Sequence, residues 1–104
     1  MDTRKNVLFI AVDDLRPEIS CFGKKKLQTP NLNRLASRSV QFNRAYCQVT
    51  ICMPSRASLL SGVRPDETWR ARIQQMCPNG EPSLPGYLKE NGYNTISIGK
   101  VYHH

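Results

Sequence analysis

With 104 residues, 39% of them hydrophobic and 22% charged, the chain has the material for one small folded domain and not the composition of a disordered segment. No apolar run approaches the ~20 residues of a membrane-spanning helix, and the residues before Asn6 leave no room for the apolar region of a signal peptide. The net charge is +7, densest at Lys24-Lys25-Lys26, but no aromatic residues interleave that run, so it reads as a solvated loop rather than a nucleic-acid surface.

The first element is Asn6 to Val12, a continuous apolar run of strand length that suits a parallel strand covered on both faces. Asp13-Asp14 stops it, and Arg16 is placed to screen the two carboxylates. Thr29-Pro30 offers an N-cap and a first-turn proline for a helix with Leu32, Leu35 and Ala36 at helical spacing. Val40 to Tyr46 alternates like a short strand. A second helix runs from Cys52 to Ser61, with Pro54 in its first turn, Leu59 and Leu60 on its buried side, and Gly62 as its stop. Val63 to Pro82 carries four breakers, Pro65, Pro78, Gly80 and Pro82, and reads as loop. A third helix spans Ser83 to Asn91, ends at Gly92, and leads into a strand from Tyr93 to Ile98 that finishes at Gly99-Lys100. Strands separated by helices predict an α/β domain, a mostly parallel sheet flanked by helices. Functional groups in such a domain collect beyond the carboxyl ends of the strands, where Asp13, Asp14 and Lys100 fall.

Three places carry chemistry. Two adjacent carboxylates after a buried strand call for a positive partner, and a hard divalent cation, calcium or magnesium, is the economical one. Cys52 stands at a helix mouth, where unbonded N–H groups and the positive end of the dipole make an anion site. Arg56, one turn on, brings a planar fork of donors suited to a tetrahedral oxyanion. The four cysteines, Cys21, Cys47, Cys52 and Cys77, form no C-x-x-C pair, which argues against structural zinc and leaves disulfides open in an oxidising compartment. Cys21, Cys47 and Cys77 read as small buried or loop thiols.

Cys52-Met53-Pro54-Ser55-Arg56 followed by Leu60-Ser61-Gly62 resembles the first signature of the sulfatase family. Gly92-Tyr93-Asn94-Thr95-Ile96-Ser97-Ile98-Gly99-Lys100 resembles the second, and Val12-Asp13-Asp14-Leu15 the metal-binding start of the same family. Gly62-Val63-Arg64-Pro65-Asp66 and Gly99-Lys100-Val101-Tyr102-His103 are most similar to its iduronate-2-sulfatase branch. The resemblance implies an alkaline-phosphatase-like α/β fold, with residues 1–104 as a partial amino-terminal catalytic domain that is inert without the remainder of a sulfatase chain. It implies hydrolysis of sulfate esters on a sulfated small molecule or glycan, in a family usually periplasmic, secreted or lysosomal.

It also implies the division of labour. A maturation enzyme oxidises Cys52 to Cα-formylglycine, whose hydrate attacks sulfur and then collapses to expel sulfate. Calcium is ligated by Asp13, Asp14 and the modified Cys52. Arg56 holds the hydrate, Lys100 binds a sulfate oxygen, and His103 contacts the ester or moves a proton. Two other readings stay open on the residues alone. One is a phosphohydrolase of the same superfamily; the other is a basic binding module for acidic polymers.

Overall fold

A computed structural model describes residues 4–24, 27–70, 80 and 82–102 of the chain. In chain order it shows a 3₁₀ turn at Ser20–Phe22 and four helices: α1 Pro30–Ala36, α2 Cys52–Ser61, α3 Pro65–Arg70 and α4 Leu84–Glu90. The organising element is α2, which packs against α3 and α4, while α1 packs on the 3₁₀ turn.

The local chemistry of these helices is mostly that of their ends. In α2, Cys52 is the first helical residue and Pro54 the third. Proline is tolerated there because the first N–H groups of a helix have no partner within it. Gly62 ends the helix in the left-handed region, φ 72°, and donates its N–H to the Ser58 carbonyl at 2.8 Å. Ser83 caps α4, its hydroxyl accepting from the Gly86 N–H at 3.4 Å. Thr29 does not cap α1. Its hydroxyl instead meets the Ser20 hydroxyl at 2.7 Å and accepts from the Ser20 N–H at 3.3 Å, tying α1 to the 3₁₀ turn. The loop expected after Val63 is also corrected, because Pro65–Arg70 is helical. Pro65 supplies the preset φ of a first helical residue, and Asp66 and Glu67 set negative charge in the first turn, where the dipole favours it.

The core is small and lies on α2: Ala57 and Leu60 are buried with the polar pair Arg56 and Ser58, and Ile19 is buried apart on the 3₁₀ side. None of the three runs read as strands, Asn6 to Val12, Val40 to Tyr46 and Tyr93 to Ile98, forms a ladder among the described residues. The one backbone bridge there is parallel, between Ile19 and Leu27. Yet the runs around Asn6–Val12 and Tyr93–Ile98 lie side by side. Arg4 Nη1 donates to the Asn91 carbonyl at 2.6 Å, and Lys100 Nζ to Asp13 at 2.7 Å. Both contacts join residues 87 positions apart, so the two segments run in the same direction, held at each end by side chains. Arg4 also stands over the Tyr93 ring, 5.5 Å from its centre. A Cβ at Gly92 would come within 2.7 Å of Arg4 Nη1, so glycine is what lets the arginine approach. Between these ties Leu8 and Ile96 are 85% and 84% exposed. Parallel strands are stable where both faces are covered, and among the described residues these segments stay largely exposed.

Candidate active site

Three distant parts of the chain meet at Asp13. Arg56, on the second turn of α2, has a side chain only 9% exposed. Its Nη1 donates to the carbonyls of Lys100, at 2.6 Å, and Val101, at 3.2 Å, and its Nη2 donates to Asp13 Oδ1 at 3.2 Å. Lys100 Nζ takes the other carboxylate oxygen, Asp13 Oδ2, at 2.7 Å. Each oxygen of Asp13 thus faces a different cation. Arg56 does more than balance charge: it fastens the backbone that carries Lys100 to the helix that carries Cys52. The planar guanidinium makes this possible, since its donors diverge in one plane and reach a carboxylate and two carbonyls at once.

The electrostatics follow from these bonds. Asp13 is held below the usual carboxylate range, first by its hydrogen bond from Lys100 and then by that from Arg56. Lys100 is raised above the usual lysine range, chiefly by the same bond to Asp13, and Cys52 adds to the effect through space. Cys52 is therefore within electrostatic reach of the ion pair. It is half-buried at the start of α2, a ten-residue helix whose preceding residue, Ile51, provides no side-chain cap. Asp14 follows Asp13 in a turn, exposed and with φ 49°, a left-handed conformation that aspartate tolerates better than most residues.

Some expectations fall elsewhere. His103, Cys77, Lys25 and Lys26 lie outside the described residues. Arg16 is not over the carboxylates of Asp13 and Asp14; its Nε faces Glu18 at 3.8 Å. Cys47 is exposed in a loop and Cys21 half-buried. What residue-by-residue reading missed is the bonding of Arg56 to the Lys100 and Val101 carbonyls, because a backbone acceptor leaves no mark in the sequence.

The donor chemistry suits calcium in kind and only partly in number. Asp13 and Asp14 offer hard carboxylate oxygens, and Asp13 already draws cations to both of its own. Calcium takes six to eight oxygens, and no group of three His, Cys, Asp or Glu side chains among the described residues is arranged to hold an ion. No helix among the described residues is long and apolar enough to cross a membrane.

Asp13, Arg56 and Lys100, each in one of the three signature segments, meet in one ion-paired cluster, and the comparisons identify the family those segments belong to. The sulfatase family profile matches residues 5–104; the chain belongs to the sulfatase family. It is 45% identical over 106 residues to iduronate 2-sulfatase of Mus musculus, covering 94% of this chain and 18% of that protein. It is 40% identical to a sulfatase of Formosa agariphila, covering 96% and 22%, and 35% identical to N-acetylgalactosamine-6-O-sulfatase of Bacteroides thetaiotaomicron, covering 93% and 20%. The chain thus spans about a fifth of the length of these relatives. No solved structure gives a significant match. Family membership implies an alkaline-phosphatase-like α/β fold; the described residues show four helices and almost no strand, so the mostly parallel sheet expected from the sequence is not seen among them.

Proposed function

We propose that this chain supplies the nucleophile side of a sulfuric ester hydrolase acting on a sulfated sugar. The observation that carries the reading is the meeting of Asp13, Arg56 and Lys100, with Arg56 on the helix that Cys52 opens. The names of the relatives, iduronate 2-sulfatase and N-acetylgalactosamine-6-O-sulfatase, favour a sugar as the carrier of the sulfate.

In this reading residues 1–104 belong to one catalytic domain, and the two parallel segments are strands of its sheet. Cys52 is converted by a maturation enzyme to formylglycine, whose hydrate supplies the attacking hydroxyl and whose return to the aldehyde releases sulfate. Asp13, Asp14 and the modified Cys52 hold calcium, which when bound polarises the sulfate group. The remaining work belongs to the chain's own side chains and backbone. The N-terminal end of α2, with the positive end of its dipole, receives anionic oxygens. Arg56 keeps its fork on Asp13 and on the Lys100 backbone, so the lysine and the nucleophile keep a constant separation. Lys100 neutralises charge on a sulfate oxygen, and His103 serves the leaving oxygen as proton donor.

The test is made on the full-length protein with paired aryl sulfate and aryl phosphate substrates. The expected result is turnover of the sulfate ester, lost in Cys52→Ala with the fold retained. In the active protein the tryptic peptide Ala45–Arg56 should weigh about 18 Da less than its cysteine form. Preference for the phosphate ester, or full activity in Cys52→Ala, would overturn the proposal.

A further inference from the structure

Lys100 carries its charge on a flexible four-carbon stem, so the reach of its ammonium depends on how firmly its backbone is held. One hold comes from α2, where Arg56 Nη1 donates to the Lys100 and Val101 carbonyls at 2.6 and 3.2 Å. A second comes from α4. The hydroxyls of Tyr102 and Ser83 meet at 3.2 Å, both on half-buried residues. Ser83 is the N-cap of α4, and its oxygen also accepts from the Gly86 N–H at 3.4 Å. A serine hydroxyl has two lone pairs and a proton, so it serves the cap and the tyrosine together. The backbone leaving Lys100 is thus held from two helices within two residues, and those helices pack on each other.

We propose that Tyr102 is a positioning residue for Lys100: its hydroxyl, bonded to the Ser83 cap of α4, fixes the far side of the segment that Arg56 holds from α2. This rests on the sulfatase reading, in which Lys100 meets a sulfate oxygen. A loosened segment lets the ammonium wander while keeping its charge nearby. Coulombic attraction to a bound anion falls slowly with distance, so binding changes little. Alignment with the reacting group is far less forgiving, so the loss falls on kcat.

The experiment uses the full-length protein with an aryl sulfate. Tyr102→Phe keeps the ring and deletes only the hydroxyl. Native trypsin cleavage after Lys100, measured against cleavage after Arg34 in α1, should rise roughly two- to tenfold, as expected for one neutral hydrogen bond. The value of kcat should fall by about twofold or more, by no more than cleavage rises, with KM within about twofold of wild type. Ser83→Gly, which removes the tie at little cost to the cap, should match Tyr102→Phe, and the double variant should lose no more. Ser83→Thr, which keeps a hydroxyl, should restore kcat. Thr29→Val, which breaks a hydroxyl pair between α1 and the 3₁₀ turn, should leave kcat unchanged. Unchanged kcat in Tyr102→Phe, losses that multiply in the double variant, or an equal loss in Thr29→Val overturns the positioning role and leaves the sulfatase reading standing. Absence of sulfate-ester turnover by the wild type overturns both.

Discussion

Arg56→Met removes a side chain that ties the Lys100 segment to α2, and Lys100 is itself a trypsin site whose scissile carbonyl Arg56 holds at 2.6 Å. Cleavage after Lys100 in the native full-length protein therefore reports local opening of that segment. The substitution deletes bonds of 2.6 and 3.2 Å to the Lys100 and Val101 carbonyls and one of 3.2 Å to Asp13. A bond from a charged donor contributes about 1.5–3 kcal/mol. The freed carbonyls regain water and the Lys100–Asp13 pair persists, so the net loss is close to that of a single such bond, about 2–3 kcal/mol. Since 1.4 kcal/mol is tenfold, the open state becomes roughly 30- to 150-fold more populated, and cleavage that is slow relative to reclosing rises by the same factor. The assay compares the rate at Lys100 with that at Lys89 in the same sample. Arg56→Lys, which keeps the charge without the planar fork that reaches a carboxylate and two carbonyls at once, should fall between wild type and Arg56→Met. A Lys100 to Lys89 ratio unchanged in Arg56→Met would refute the clamp.

The Asp13–Lys100 pair also makes stability depend on pH in a defined direction. Asp13 is lowered in the folded state, so its contribution is present above the ordinary carboxylate range and is lost as pH falls through the depressed value. Lys100 is raised, so its contribution is present below the ordinary lysine range and is lost as pH rises through the elevated value. Denaturation midpoints of wild type and Asp13→Asn should differ at neutral pH and converge in strong acid. Gly62→Ala should destabilise by about 1 kcal/mol, through the left-handed φ of 72° alone, because a methyl group there meets open space. Leu60→Ala, at a side chain 3% exposed, should cost about 2–5 kcal/mol. Thermal or urea melts rank the two, and a larger effect at Gly62 would contradict the packing described.

Residue order alone settled the ends of the helices wherever an end is chemically distinctive. Gly62 stops α2 and Gly92 follows α4, because a positive φ is a property of one residue in its immediate neighbourhood. The same local logic failed at Thr29, whose hydroxyl had a competing partner in Ser20, and at Pro65, where three breakers further on hid a short helix with a well-formed start. The motifs marked Asp13, Cys52, Arg56 and Lys100 as the residues of interest without saying how they touch. Only the folded arrangement decided that Arg56 bonds backbone rather than solvent, that Asp13 is shared between two cations, and that the segments at Arg4–Asp13 and Asn91–Lys100 run in the same direction. Those are relations across more than forty residues, set by where α2 packs. A carbonyl or a direction of travel is common to every residue and is written in none of them.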